Sequence, residues 1–110
     1  MTVHDLEDAP PPDLGFVERL TLKRIDQDIF TGWCHAGSPL RAFGGQVAAQ
    51  ALVAAGTTVE QPGRTVHSLH AYFLRAGSTT DHIVYMVDRL RDGRSFSTRR
   101  VRAVQYGKTI

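Results

Sequence analysis

The stretch Arg41–Gly56, RAFGGQVAAQALVAAG, decides how this chain is read. Two adjacent glycines stand directly before a run in which Val47, Ala48, Ala51, Leu52, Ala54 and Ala55 cover most of a helical circumference, with only Gln46 and Gln50, one turn apart, as polar positions. The pattern predicts an α-helix over about Gly45–Ala55, stopped by Gly56 as a left-handed cap. A helix apolar on nearly every side belongs in an interior, and its alanines keep it slim enough for a curved sheet to close around it. Gly44 and Gly45 admit two readings: a tight loop-to-helix turn packed against a strand, or a pair of bare backbone donors facing a ligand.

Outward from this helix the chain reads as strands. Before it, Leu22–Ile25 and Ile29–Cys34 flank the polar turn Asp26-Gln27-Asp28, and Asp13 stands where it would cap a short helix over Leu14–Leu20. A loop over Gly37–Phe43 leads into the helix. After it come Thr65–Leu74 (TVHSLHAYFL), Ile83–Leu90 (IVYMVDRL) and, across an Asp92-Gly93 turn, Ser95–Tyr106 (SFSTRRVRAVQY), which together predict an antiparallel meander. Gly107-Lys108 begins a further turn, and Thr109-Ile110 reads as the first step of an incomplete strand, so a sheet edge is left to be covered. The expected architecture is α+β: a curved antiparallel sheet wrapped around a central apolar helix, in one domain over residues 14–110 behind a disordered tail over 1–13.

Composition narrows the function classes. The chain has 110 residues, 42% apolar and 22% charged, enough for one core. No apolar run approaches the roughly 18 residues a membrane helix needs. The start, MTVHDLEDAPPPD, is acidic and proline-rich rather than basic and apolar, so the expected location is the cytoplasm. The single cysteine, Cys34 beside Trp33, reads as a small buried apolar residue and offers no metal-ligand spacing. Arg89, Arg91, Arg94, Arg99, Arg100 and Arg102 crowd into the back of the chain; their alternation within a strand pattern fits a solvated face, or a site for a phosphorylated small ligand, and no nucleic-acid motif accompanies them.

The chemistry-bearing residues are few. No carboxylate lies between Gly44 and Gly56, and Gln46 and Gln50 can orient a water without taking its proton. His67 shares a strand face with Leu69, Ala71 and Phe73; it reads as a packed or interface histidine, with general base as the other reading. His70 points to the opposite face, with Tyr72, so the two histidines cannot act as a pair. His4, His35 and His82 look like tail and loop residues. Ser95 and Ser97 have no nucleophile elbow and no oriented histidine.

The stretches FGGQVAAQAL, VHSLHAYFLRAG and VYMVDRLRDGRSFSTRRVRAVQYGK resemble the N-terminal half of the acyl-CoA thioesterase II (TesB-like) family, over roughly Leu20–Ile110. The resemblance implies a hotdog fold and hydrolysis of fatty acyl-CoA to free fatty acid and CoA, with coenzyme A entering only as part of the substrate. It also implies a parent enzyme about twice this length, made of two hotdog halves, whose catalytic Asp, Thr or Ser, and Gln lie mainly in the second half; none of them maps onto this sequence. The catalytic candidates are therefore only Gln46 and His67. Substrate-binding candidates are Gly44, Gly45 and Gln46 at the thioester, Arg94 and Arg99 at the phosphate end, and an apolar wall around Leu52, Leu69 and Phe73 for the acyl chain. No metal site is expected. The implied partners are acyl-CoA and either a second copy or a C-terminal hotdog half, paired sheet edge to sheet edge. The alternative is a non-catalytic acyl-CoA-binding or structural subunit.

Overall fold

The computed structural model describes residues 16–33, 44–79 and 81–110. The expected tail, the Asp13 cap, Cys34, His4, His35 and the Gly37–Phe43 loop lie outside them. A short helix α1, Phe16–Arg19, precedes β1, Lys23–Asp26, and β2, Ile29–Gly32. The long helix α2 covers Gly44–Thr57 and is followed by β3, Ile83–Asp92, β4, Ser97–Gln105, and β5, Lys108–Thr109. The strands form one antiparallel sheet in the order β1-β2-β3-β4-β5, a meander whose concave face receives α2.

Alternation decides which side chains meet the helix. Along β3, Ile83, Tyr85 and Val87 are buried; they pack with Phe30 of β2 and Ala54 of α2, while Leu22, Val47, Ala51, Val101, Ala103 and Ile110 close around them. A β-bulge between Arg89 and Arg91 shifts the pairing by one, so that Asp92 stands opposite Ser97 on the side where Arg99 lies. The β3–β4 turn closes one step later than the Asp92-Gly93 pair implies: the Gly93 N–H donates to the Phe96 carbonyl at 2.7 Å, and Asp92 still belongs to the ladder.

Two expectations are corrected. Gly56 is not a left-handed cap: the helix runs through it to Thr57, and only Gly63 and Gly107 among the described glycines have positive φ. Its last carbonyls are met instead by hydroxyls, Thr57 Oγ1 donating to the Val53 carbonyl (2.8 Å) and Thr58 Oγ1 to the Ala55 carbonyl (2.7 Å). The larger correction concerns Thr65–Leu74. It is extended and exposed along its whole length and pairs with no strand of the sheet. Its β-branched and aromatic residues carry the propensity, but propensity for strand is chiefly a fit to neighbours, and here none lie alongside.

The helix itself is less enclosed than its composition predicts. Only Gln50 and Ala54 are buried, and Gly45, Gly56 and Thr57 are exposed.

Candidate functional site

At the N-terminal end of α2 an open cavity of about 360 Å³ lies between the helix and the extended segment, lined by Gly44, Val47, Phe73, Leu74, Arg75 and Ile110, with Ala76 and Gly77 at its edge. Gly44, the first residue of α2, lines the cavity, and the first turn of the helix holds no acidic side chain. A Cβ on Gly44 would stand 3.0 Å from Phe73 Cε1 and 3.3 Å from Cζ, so the ring lies directly on the bare backbone. Gly44 permits this close packing; Gly45 beside it is exposed and is not among the residues that line the cavity.

The rest of the lining is apolar except for Arg75, an exposed cation at the mouth. No carboxylate, histidine or cysteine is among these lining residues. Gln46 lies half-buried in the first turn of α2. Gln105, buried in β4, holds the chain that follows the lining residue Gly77: its Oε1 accepts from the Ser78 N–H (2.8 Å) and its Nε2 donates to the carbonyls of Ser78 (3.0 Å) and Asp81 (3.2 Å).

Gln50 is a structural clamp. It is fully buried; Nε2 donates to the carbonyls of Arg19 (2.8 Å) and Trp33 (2.7 Å), and Oε1 accepts from the Tyr85 hydroxyl at 2.6 Å. This ties α1, the end of β2 and the centre of β3 to one helical side chain. A Cβ at Gly32 would approach Gln50 Oε1 to 2.7 Å, so the glycine is what lets the amide in.

The remaining candidates fall elsewhere. His67 is exposed, its Nδ1 3.4 Å from Ser68 Oγ and its ring edge-on to Phe96, and it does not line the cavity. His70 stacks on Tyr72, as the alternation implies. Leu69 is exposed and Leu52 half-buried, and neither lines the cavity; of the expected apolar wall only Phe73 does. Arg94 is exposed in the β3–β4 turn, its carbonyl accepting from Arg64.

Arg99 has a different occupation from the one its sequence context suggests. Its side chain is only 5% exposed; Nε donates to Thr58 Oγ1 (2.7 Å), Nη2 to the Thr58 carbonyl (3.2 Å), and it pairs with Asp92 at 2.8 Å. A cation against the C-terminal carbonyls of α2 is favourably placed. Asp92, accepting from Ser97 and then from Arg99, is held below the ordinary carboxylate range.

Arg75 was not among the sequence candidates. Its mark is local: a cation directly after the apolar run Tyr72-Phe73-Leu74 and before Ala76-Gly77.

Comparison with known proteins settles the lineage. Residues 31–110 match the family model described as the acyl-CoA thioesterase N-terminal domain. The chain belongs to this acyl-CoA thioesterase family. It is 47% identical over 104 residues to human acyl-coenzyme A thioesterase 8, covering 92% of this chain and 32% of that one. Against acyl-CoA thioesterase 2 of Haemophilus influenzae it is 45% identical over 96 residues, covering 87% and 33%. Among solved structures, acyl-CoA thioesterase II TesB2 from Mycobacterium marinum superposes with a TM-score of 0.76 at 47% identity, over 86% of this chain and 34% of that chain. The tesB protein of Mycobacterium avium subs paratuberculosis gives a TM-score of 0.80 at 39% identity, over 86% and 38%. The long helix α2 against the antiparallel sheet is the hotdog fold of this family. The chain spans about a third of the length of the curated relatives it matches, a smaller share than the half that the resemblance implies.

No described helix is long and apolar enough to cross a membrane. Among the described residues no group of three or more His, Cys, Asp or Glu is placed to hold a metal.

Proposed function

We propose that this domain takes part in hydrolysis of fatty acyl-CoA in the cytoplasm, supplying the carbonyl-polarising and acyl-binding side of the reaction while the general base comes from a paired domain. The observation that carries this reading is the cavity at the start of α2, with the first helical residue, Gly44, an apolar wall of Val47, Phe73, Leu74 and Ile110, and the cation Arg75 all in its lining. A thioester oxygen set against the amides at Gly44–Gln46 gains a donor that acts where negative charge develops, a contribution of about 3 kcal/mol per well-placed donor. The apolar wall takes the first methylenes of the acyl chain, each worth about 0.8 kcal/mol when buried. Arg75, rather than the internally engaged Arg99, then offers the guanidinium for a CoA phosphate; Arg94, also exposed, stays a second candidate. His67 and Gln46 stay the candidates for a proton-handling or water-orienting role, with His67 requiring movement to reach the cavity. Pairing is sheet edge to sheet edge, with a second copy or a C-terminal half.

The lining without a base favours a second reading, an acyl-CoA-binding subunit that turns nothing over. Purified chain incubated with short, medium and long acyl-CoA, with thiol release followed alongside binding, separates the two. Turnover abolished by Gly44→Val supports the enzyme. Binding without turnover, weakened by Arg75→Glu, supports the subunit. Neither binding nor turnover overturns both.

A further inference from the structure

The hairpin that joins β4 to β5 carries an aromatic ring that burial does not explain. Its two central residues, Tyr106 and Gly107, both have positive φ, 52° and 73°. Hairpin turns of this kind select asparagine or glycine at the first of these positions, because a Cβ is crowded in the left-handed conformation. Tyr106 meets that crowding with a large side chain, and its ring is 79% exposed, the most open of the large apolar side chains among the described residues. The ring is nonetheless fixed. Its hydroxyl donates to the Asp81 carboxylate, and the Asp81 carbonyl accepts from Gln105 Nε2 at 3.2 Å. A strained residue whose surroundings hold it in place, with its flat face left to solvent, is the kind of position that collects at ligand sites.

The turn stands at the outer end of a track that begins in the cavity. Lys108 lies opposite Gln105 and on the same face of its strand as Ile110, which lines the cavity about 7 Å further along at the rise of an antiparallel strand. The Ile110 carbonyl accepts from the Leu74 N–H at 3.0 Å, which sets Arg75 beside it. Arg75 and Lys108 are exposed and neither has an ion-pair partner among the described residues, whereas Arg89, Arg99 and Arg100 are all paired. From the cavity outward the order is an apolar wall, two unpaired cations and an exposed ring. Coenzyme A carries its parts in the same order: an uncharged thioester arm, phosphates, and adenine.

We propose that the β4–β5 turn receives the nucleotide end of acyl-CoA, Lys108 and Arg75 meeting the phosphates and the Tyr106 ring stacking on adenine. The assignment rests on the acyl-CoA reading of the cavity and extends it. A lysine ammonium suits a phosphate as a point charge, and an aromatic face stacks on a base with no hydrogen-bond match required. The Asp81 carboxylate beside the ring is engaged by the Tyr106 hydroxyl, which lessens its repulsion of a phosphate. Arg94 sits at the opposite end of β4 and outside the cavity lining, so the track does not reach it.

The test measures, by calorimetric titration of the full chain, the affinity for octanoyl-CoA and for octanoyl-pantetheine, the same thioester without its nucleotide. The expected result is octanoyl-CoA bound at least about tenfold more tightly, the scale of one stacked base. Tyr106→Asn removes the ring and suits the left-handed turn, so the fold is kept. It and Lys108→Glu each shrink the preference to about threefold or less and leave octanoyl-pantetheine affinity unchanged. Equal affinity for the two thioesters in the unsubstituted chain, or a preference that survives both substitutions, overturns the proposal and leaves the acyl-CoA reading standing. So does a preference lost in Arg94→Glu and kept in Tyr106→Asn, which gives the nucleotide end to the β3–β4 turn. Absence of binding to either thioester overturns the acyl-CoA reading itself and this assignment with it.

Discussion

Two stretches of this molecule, Ile83–Asp92 and Thr65–Leu74, have the same β-rich vocabulary and opposite fates. The first is the centre of the sheet, flanked by β2 and β4, with Tyr85 and Ile83 fully buried. The second lies open, with Tyr72 77% and Leu74 65% exposed. The difference lies not in apolar content but in what stands beside each backbone. Over Ile83–Met86 β3 has a ladder on both edges, and its alternate side chains Ile83, Tyr85 and Val87 are buried in the core with Ala54 of α2. Thr65–Leu74 has a hydrogen-bonded anchor at each end and no strand of the sheet paired along it, so its side chains make isolated contacts, Phe73 on Gly44 and His67 on Phe96, and stay exposed. Burial here is a product of pairing, and stability should be concentrated where pairing is complete.

The sharpest way to break the well-paired region is through Gln50. Gln50→Ala removes both donors and the acceptor at once, leaving the Tyr85 hydroxyl and the carbonyls of Arg19 and Trp33 to find other partners. The expected loss is about 3 kcal/mol or more, read from the denaturant midpoint at unchanged m-value. A loss below about 1 kcal/mol would show that water enters and replaces the amide. Tyr85→Phe is the milder version. It keeps the ring and leaves only Gln50 Oε1 short of a donor, so about 1–2 kcal/mol is expected by the same measurement.

The same contrast explains what was legible in the sequence. The helix could be read because its 3.6-residue period is local, and the meander because alternation and turns are local too. Gln50 could not be read as the clamp: two of its partners are backbone carbonyls 31 and 17 residues away, and carbonyls leave no mark in a sequence. Arg99 looks the same on paper whether it faces solvent or closes a helix end; the bulge after Arg89, which turns Asp92 toward it, has no signature in Arg-Leu-Arg-Asp. Thr65–Leu74 was misplaced for the converse reason, since its letters describe a strand and say nothing of whether a neighbour is there. In the candidate site the Gly44 backbone and Phe73 were legible, as a glycine before a helix and an aromatic in an apolar run. Arg75 was overlooked because the denser cluster of arginines further on drew the phosphate reading.

In the open region, large substitutions should cost little. Phe73→Ala removes a half-exposed ring from Gly44 and is expected to lower stability by at most about 0.5–1 kcal/mol, far below Phe→Ala in a core. It should nevertheless weaken long-chain acyl-CoA binding more than short-chain binding, because the ring forms part of the cavity wall. Equal weakening for all chain lengths would place the acyl chain elsewhere.

The smallest effect is a pH dependence at the exposed β4–β5 turn, where Tyr106 and Gly107 both have positive φ. The Tyr106 hydroxyl donates to the Asp81 carboxylate, and that bond, reinforced by partial burial and the carboxylate charge, raises the phenol above its ordinary value of 10.0. The folded state therefore holds the phenolic proton more tightly than the unfolded chain does. The stabilisation is fully present below the ordinary tyrosine range and fades as pH rises through the raised value. Other tyrosines and lysines titrate in the same window, so the informative quantity is the difference between wild type and Tyr106→Phe in denaturant midpoint against pH. It should be small and constant through neutral pH and shrink toward zero in strong alkali. A constant gap up to the highest pH would mean that the hydroxyl contributes through packing at the turn and not through its proton on Asp81.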